Sequence, residues 1–579
     1  MKKLSKHWHK DWTLAPYFFD EAEIQHISKQ VENLKIETIV YCSYENRFGK
    51  SGGLGAVTAK ILPFLNEARA ESDAILITPF HSKIMDAKKL KASGITFEVL
   101  FDRRPINVEI LEYTFEYHAP QKGTGKEYYL KADGFFNAQN PLNDPYVFFE
   151  ADRARNDEAI RENSLFFCQA VPLALKALRV EENIVFHLQD WQTALISLTA
   201  KEAMVSGALQ SCATVQTMHN SFDTFIPWRT LEKISGEKRI HRISQKFQEG
   251  LTAFQIGLQL VDAPITTVSD NFANEFTSDI LQTEHFAPHL QTIFQKSGVV
   301  GVNNGAFIDP PAEFAQEKSI TITKLKTIKS KNRKLLLKVL DEYHPPERFG
   351  KLAYQGTSIT NLPDSIPILV MSGRLDYNQK GYDIFLQAIE RFAEDEIKVV
   401  LTPMPVKQSD LDFFKDVVSR CNGNVTVIPI RMTQGFHELQ IGCTFGLMPS
   451  IYEPFGAAIE YMVNGTVNIA RKTGGLADQI DDNQSGLLYR EYSTFYSIEN
   501  IKHFSDLADN VSMRRDNRWV QSMVAALHEK IKEAIYLYQN HPNEYYRLII
   551  VGFKKAKNFD WSKSVKKYFE VYDQVTRGF

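Results

Sequence analysis

The sequence predicts an α/β protein made of two parallel sheets, each covered by helices. Three features carry that expectation: the length of the chain, two separate series of short β-branched runs alternating with helical stretches, and a polar junction between the series. At 579 residues the chain exceeds the roughly 250–300 residues at which a single hydrophobic core stops growing. The first series comprises Ile36–Cys42, Ala74–Thr78, Asn183–His187, Ala213–Met218, Ile265–Val268 and Val299–Val302. The second comprises Ile368–Met371, Lys398–Leu401, Val425–Pro429, Phe445–Met448 and Val467–Ala470. Alternation of this kind is the pattern of parallel strands joined by crossover helices. Between the series lies Pro310–Pro367, rich in Lys, Pro and polar residues. From Asn517 the chain reads as largely helical, ending in the amphipathic Ser562–Val575.

The division expected from these runs is an N-terminal arm over 1–35, a first domain over 36–310, a second over 311–545, and helices over 546–579 that return to the first. With 44% hydrophobic and 24% charged residues the composition is that of a soluble globular protein. Lys+Arg 67 against Asp+Glu 70 leaves a net charge of -3, without the basic excess that nucleic-acid phosphates favour. No nucleic-acid or membrane partner is expected, since no run is long enough to span a bilayer. Five scattered cysteines without a C-x-x-C pair suit a reduced, cytoplasmic compartment. The basic Met1–Lys10 lacks the apolar core of a signal segment. Its Lys, His and Trp residues could stack on sugar rings, although a surface-packed terminus is the commoner outcome.

In open parallel sheets, ligands bind beyond the carboxyl ends of the strands, so chemistry is sought there. After the first strand stands Gly49-Lys-Ser-Gly-Gly-Leu-Gly55. It is no P-loop, because Tyr44 occupies the position of the first required glycine. Gly52 and Gly53 entering a helix still let backbone amides approach a phosphate or sugar, and Lys50 adds charge. A plain strand-to-helix turn reads equally well. The second series opens with Ser372-Gly-Arg-Leu-Asp-Tyr-Asn-Gln-Lys-Gly381, where Arg374 and Lys380 could clamp a diphosphate or be solvated surface charges. Pro449-Ser-Ile-Tyr-Glu-Pro-Phe-Gly456 precedes Ala457–Met462, so Glu453 could bond sugar hydroxyls or cap the helix. Asp410-Leu-Asp412 resembles a metal-binding D-x-D, but it lies on an amphipathic stretch and reads as a surface face. No metal site is expected.

Taken in order, Lys50-Ser-Gly-Gly-Leu, His187-Leu-Gln-Asp-Trp191, Thr217-Met-His-Asn220, Thr267-Val-Ser269, Asn304-Gly305, Gly373-Arg-Leu through Lys380-Gly381, the Pro449–Gly456 segment and Arg471-Lys-Thr-Gly-Gly-Leu-Ala-Asp478 form a series. That series resembles the bacterial glycogen synthases and plant starch synthases, with a weaker echo in Asn558-Phe-Asp-Trp561. The resemblance implies a GT-B fold: two Rossmann-like domains facing across a cleft, with the last helix crossing back to the first. It implies that Lys50 contacts donor phosphate, Asp190 contacts sugar hydroxyls, His219 lies over the reacting glucose, and Asn304 sits close to the same sugar. It further implies that Arg374 and Lys380 neutralise the departing diphosphate and that Glu453 holds the glucose. The amides of Phe455, Gly456, Ala457 and Ala458 would complete the donor pocket. Tyr461, eight residues after Glu453, takes a place where related transferases carry a carboxylate, and the neighbouring Glu460 is out of register with it.

Taken alone, His219 would more often be a satisfied structural histidine than a catalytic one, and its motif reverses that weighting. Asp190 also suits the N-cap of a helix at Trp191. Several positions depart from the family pattern. Ala56 replaces an aspartate, Gln189 and Gln192 replace histidines, and Thr402-Pro-Met-Pro405 stands where a glycine-rich turn is expected. The aromatic residue that stacks on the base aligns with Arg431, whose guanidinium can also stack. One residue is inserted within Arg374–Lys380, and Ala306–Pro367 and Tyr489–Met523 are long.

These features predict a retaining glucosyltransferase that moves glucose from a nucleotide diphosphoglucose to an α-glucan, with the nucleotide sugar as substrate and no cofactor. The alternatives are a transferase of the same fold with another donor or a small acceptor, and a catalytically silent glucan-binding homologue.

Overall fold

The computed structural model describes residues 12–118, 121–140, 143–315, 320–342, 355–356, 362–404, 414, 418–428, 432, 435–508 and 510–576. The chain forms two compact units. The first comprises 1–268, 273–307 and 561–579, and the second 269–272 and 308–560.

The first unit is built on a nine-stranded sheet. Strand Thr38–Cys42 pairs in parallel with Asp73–Pro79 on one side and Ile184–Gln189 on the other. Cys212–Met218, Ile265–Thr267 and Val299–Gly301 continue the parallel run. All six runs expected from the sequence are therefore strands. Beyond Asp73–Pro79 lies a ribbon of Gly123–Ala132, Arg104–Tyr117 and Lys91–Phe101, with its two outer pairs antiparallel, which was not anticipated. Its outermost strand alternates exposed and half-buried positions, as a one-sided edge strand should.

The core of this unit continues into the end of the chain. Helix Trp561–Tyr572 contributes Trp561, Val565, Tyr568 and Tyr572 to the same buried cluster as Ile39, Val185 and Val215. Trp561 Nε1 donates to Ala306 O at 2.9 Å and Ser564 Oγ to Asn303 O at 2.5 Å. Helix Pro542–Ala556, by contrast, belongs to the second unit.

The second unit carries a seven-stranded sheet. Ile368–Arg374 lies between Lys398–Met404 and Phe445–Met448, followed by Val467–Arg471 and Gly486–Tyr489, all in parallel. Val425–Val427 extends the other side in parallel, and the short Gln355–Gly356 adds an antiparallel edge. The five expected runs are all strands, and the short Gln355–Gly356 and Gly486–Tyr489 are the two strands of this sheet that were missed. Where a glycine-rich turn was expected, the strand runs on through Thr402, Pro403 and Met404 and pairs with Ser372–Arg374.

Candidate active site

In the first unit the candidate residues gather at the carboxyl ends of the central strands. The glycine-rich turn leads from the first strand into helix Gly53–Ala68. Three of its amides, Gly52 N among them, are already taken by a side chain. Glu45 Oε2 accepts from Ser51 N at 3.0 Å, Gly52 N at 3.1 Å and Gly55 N at 3.1 Å. Burial pushes the Glu45 carboxyl up from its ordinary range, and these three amides partly offset the effect. A side chain at Gly55 would collide with Lys50 Cβ and press on Glu45. Ser51 Oγ donates to Asp144 Oδ2 at 2.5 Å. Lys50 itself is exposed and has no ion pair among the described residues.

Asp190 occupies the N-cap position of the short helix Trp191–Ala194, but its carboxylate does not cap it. Instead Asp190 Oδ1 accepts from His219 N at 2.6 Å. The residue has φ 58, a left-handed conformation that costs a side-chain-bearing residue energy and is retained where surrounding structure enforces it. Only 7% of Asp190 is exposed. Burial pushes its pKa up to about 7, reinforced by the Glu45 charge and opposed by the His219 and Asn220 amides.

His219 follows the adjacent strand. Its Nε2 lies 2.8 Å from Gln189 Oε1, and burial lowers its pKa to about 3, so the ring is neutral near pH 7. With Gln189 accepting, the proton sits on Nε2. The replacement of a family histidine by Gln189 thus supplies a partner that does not titrate. His187 is a core residue: Tyr572 Oη lies 2.8 Å from Nδ1 and Thr217 Oγ1 2.7 Å from Nε2. Asn304 is 2% exposed and its Oδ1 lacks a hydrogen-bond partner among the described residues. At Gly305 any Cβ would meet Trp561, which ties the Asn304 turn to the last helix.

In the second unit, two loops at neighbouring strand ends are joined directly. Asp376 Oδ1 accepts from Asn378 N at 3.0 Å and Gln379 N at 3.2 Å, forming a turn between the two cations. Arg374 Nη2 donates to Gln379 Oε1 at 2.9 Å. Lys380 Nζ donates to Glu453 Oε2 at 2.7 Å, and Ser450 Oγ to the same oxygen at 2.8 Å. Glu453 is 4% exposed. It does not cap the following helix, which runs over Ala458–Val463 with Ala457 at its N-cap and no side-chain cap. Ile451 N donates to Gln379 O at 2.7 Å. Gly381, at φ 70, lies so close to Pro449 O that a side chain would collide with it.

The Thr473-Gly-Gly-Leu476 segment packs from below. Gly475 N donates to Glu453 O at 2.8 Å, and Gly474, at φ 45, leaves no room for a Cβ against the Glu453 carbonyl. Phe455 is buried with its ring edge-on to Phe559 at 6.0 Å, and Gly456 has φ 89. Tyr461 is buried and bonds Ser372. Burial pushes Glu460 up to about 7, with Lys380 opposing.

Arg431, the Asp410–Asp412 pair, Pro405 and the terminal arm over 1–11 lie outside the described residues. Among the described residues no group of three or more His, Cys, Asp or Glu could hold a metal ion, and no helix is long and apolar enough to cross a membrane. Sequence reasoning missed Glu45 and the role of Gln189. The only available signal for Glu45 was its place five residues before Lys50.

Residues 38–295 match the family model described as the starch synthase catalytic domain, and residues 358–516 that of glycosyl transferases group 1. A glycogen synthase of Thermodesulfovibrio yellowstonii is 26% identical over 545 residues, covering 91% of this chain and 95% of the relative. One of Fervidobacterium nodosum is 26% identical, covering 93% and 98%. The catalytic domain of starch synthase IV from Arabidopsis thaliana, bound to ADP and acarbose, superposes with a TM-score of 0.68 at 18% identity, covering 94% of this chain and 100% of that one. A sucrose-phosphate synthase from Thermosynechococcus elongatus gives 0.51 at 14% identity, covering 93% and 99%. Two parallel-sheet units, the ordered strand-end motifs and these matches agree: the chain has the GT-B fold, with a starch synthase catalytic domain over 38–295 and a glycosyl transferases group 1 domain over 358–516, and is similar along its length to glycogen synthases.

Proposed function

We propose that this protein transfers a glucosyl unit from a nucleotide diphosphoglucose to an α-glucan, with retention at the anomeric carbon. The observation that carries the reading is the joined pair of loops in the second unit, where Arg374, Lys380 and buried Glu453 are held within one hydrogen-bonded network. Two cations on a fixed turn suit a leaving diphosphate, on which negative charge grows as the sugar departs. Glu453 then holds sugar hydroxyls, and Lys380 passes from the carboxylate to the diphosphate when donor binds. Asp190 and neutral His219 offer the transferring sugar polar contacts without a competing positive charge. Lys50, exposed and without an ion pair among the described residues, is available to donor phosphate. Buried Tyr461, with Gly456, Ala457 and Ala458, borders the donor loops, and Arg431 is assigned to the base.

The reaction is assigned no metal or other cofactor, and the compartment is the cytoplasm, in keeping with five cysteines that are all free and buried. A second reading, a transferase with a different donor base or a small acceptor, is favoured by one observation. The strand extension through Pro403 replaces a turn whose amides would face the nucleotide, and proline has no amide to offer. Turnover of a panel of ADP-, UDP- and GDP-glucose with glycogen, maltooligosaccharides and monosaccharides tests both. Release of nucleoside diphosphate with a glucan acceptor supports the first reading, turnover only with a small acceptor supports the second, and none with any pair leaves a glucan-binding homologue.

A further inference from the structure

The long segment between Tyr489 and Met523 sends two sets of groups beneath the donor loops. Arg471, at the end of its strand and 3% exposed, pairs with Glu491 through Nε at 2.8 Å and through Nη2. Its Nη1 donates to Ile451 O at 2.6 Å, in the loop that carries Glu453. Trp519 Nε1 reaches the same glutamate at 3.4 Å.

Arg514 repeats the arrangement under the other loop. It is 0% exposed. Its guanidinium lies 3.7 Å from the Asp383 carboxylate and 4.3 Å from the centroid of the Phe504 ring. Its two Nη groups hydrogen-bond the turn between the two cations: Nη1, the nitrogen nearest Asp383, donates to Tyr377 O at 3.1 Å, and Nη2 to Asn378 Oδ1. Nε of Arg514 has no hydrogen-bond partner among the described residues, so the two bonds to the turn are the ones that satisfy this buried guanidinium, and the turn and the arginine constrain each other. Asn378 is exposed and Asp376 closes the turn from the other side, so Arg514 is the buried support of its tip.

We infer that Arg514 is a positioning residue for the donor: it fixes the Asp376–Gln379 turn so that Arg374 and Lys380 present their charges together to a nucleoside diphosphate. The inference rests on the functional reading above. It also gives a reason for two departures of this chain from the family pattern to occur together. The turn is one residue longer than usual, and the long segment supplies the side chain that holds the added length.

The test uses the full chain, with ADP and UDP as probes in calorimetric titrations, donor and glucan KM values, and thermal melting. Asn378→Ala removes the exposed end of the tether while Arg514 keeps Asp383, Phe504 and Tyr377 O, so folding is preserved. Arg514→Met removes the tether entirely. The Kd of the nucleoside diphosphate and the donor KM are expected to rise about three- to tenfold in Asn378→Ala and further in Arg514→Met, with the glucan KM unchanged. The double variant should bind no more weakly than Arg514→Met alone, since both act through one contact. Wild-type donor affinity in Asn378→Ala, with Arg514→Met altering only the melting temperature, would reduce Arg514 to a core residue and overturn the inference. A wild-type chain that binds neither diphosphate overturns the functional reading, and the inference falls with it.

Discussion

Asp190 and Glu453 are carboxylates at strand ends of two similar sheets, buried to 7% and 4% exposure, yet they are stabilised in opposite ways. Glu453 has a lysine at 2.7 Å and a serine hydroxyl on the same oxygen. Among the described residues Asp190 has no cation; it has backbone amides, a second carboxylate in Glu45, and a backbone conformation unusual for aspartate. The second unit balances charge with charge, as a site for a multiply negative leaving group requires. The first unit keeps a buried carboxyl whose ionisation is suppressed beside a neutral histidine, so no positive charge there opposes positive character developing on a sugar.

The largest effect expected from this contrast is at Glu453. Glu453→Ala should leave a folded protein whose transfer falls by about 10²–10³, the range for loss of one preorganised polar contact. Arg374→Ala and Lys380→Ala should each weaken nucleoside diphosphate binding and slow transfer. Unchanged turnover in a folded Glu453 variant would remove that residue from the chemistry.

Asp190 should behave differently because burial has raised its pKa. The carboxyl is neutral in the folded protein up to about pH 7, whereas in the unfolded chain it ionises near 4. Its contribution to stability is thus greatest in acid and declines from about pH 4 to pH 7. Asp190→Asn should lose transfer, yet melt progressively higher relative to wild type as pH rises through that window. A difference in melting temperature that does not change with pH would show that Asp190 is ionised in the fold.

A smaller effect is expected below the Glu453 loop. Gly474→Ala forces a side chain into the Glu453 carbonyl at positive φ and should cost on the order of 1–3 kcal/mol, read as a lower melting temperature with weakened donor binding. The mildest changes concern the base and the ions. Arg431→Tyr should shift relative use of ADP-, UDP- and GDP-glucose by several-fold without abolishing transfer, and EDTA should leave activity intact. An unchanged donor profile would sink the assignment of Arg431, and loss of activity in EDTA restored by magnesium would sink the metal-free mechanism.

The same contrast separates what was legible in the sequence from what was not. Parallel strands buried on both faces are short apolar runs, and eleven of them were readable, with Gly486–Tyr489 missed. The ribbon over Lys91–Ala132 was not, because its tight turn at Asp102 and Arg103, both at positive φ, lacks the Asn-Gly or Asp-Gly pair that normally marks such turns. Residues such as Lys380 and Glu453 announced themselves through local spacing. Their supports did not: Arg514 reaches Tyr377 across 137 positions, and Glu45 acts on amides further along its own loop, so neither leaves a pattern in a window of sequence. The capping roles considered for Asp190 and Glu453 failed for a related reason. Each stands close before a helix, but its carboxylate finds a stronger partner on a different element.

The final helix has a consequence for biosynthesis. Tyr572 bonds His187 across 385 residues, and its neighbours complete the core around the first strands. A ribosome adding about 5–20 residues per second takes roughly 20–80 s to travel from one partner to the other. During that interval the nascent first unit has an open face where this helix belongs, and the second unit's whole sheet, ending at Tyr489, is made before the helix arrives. The amino-terminal half of the fold therefore waits for helix Trp561–Tyr572, and loss of that helix would damage the half that was made first.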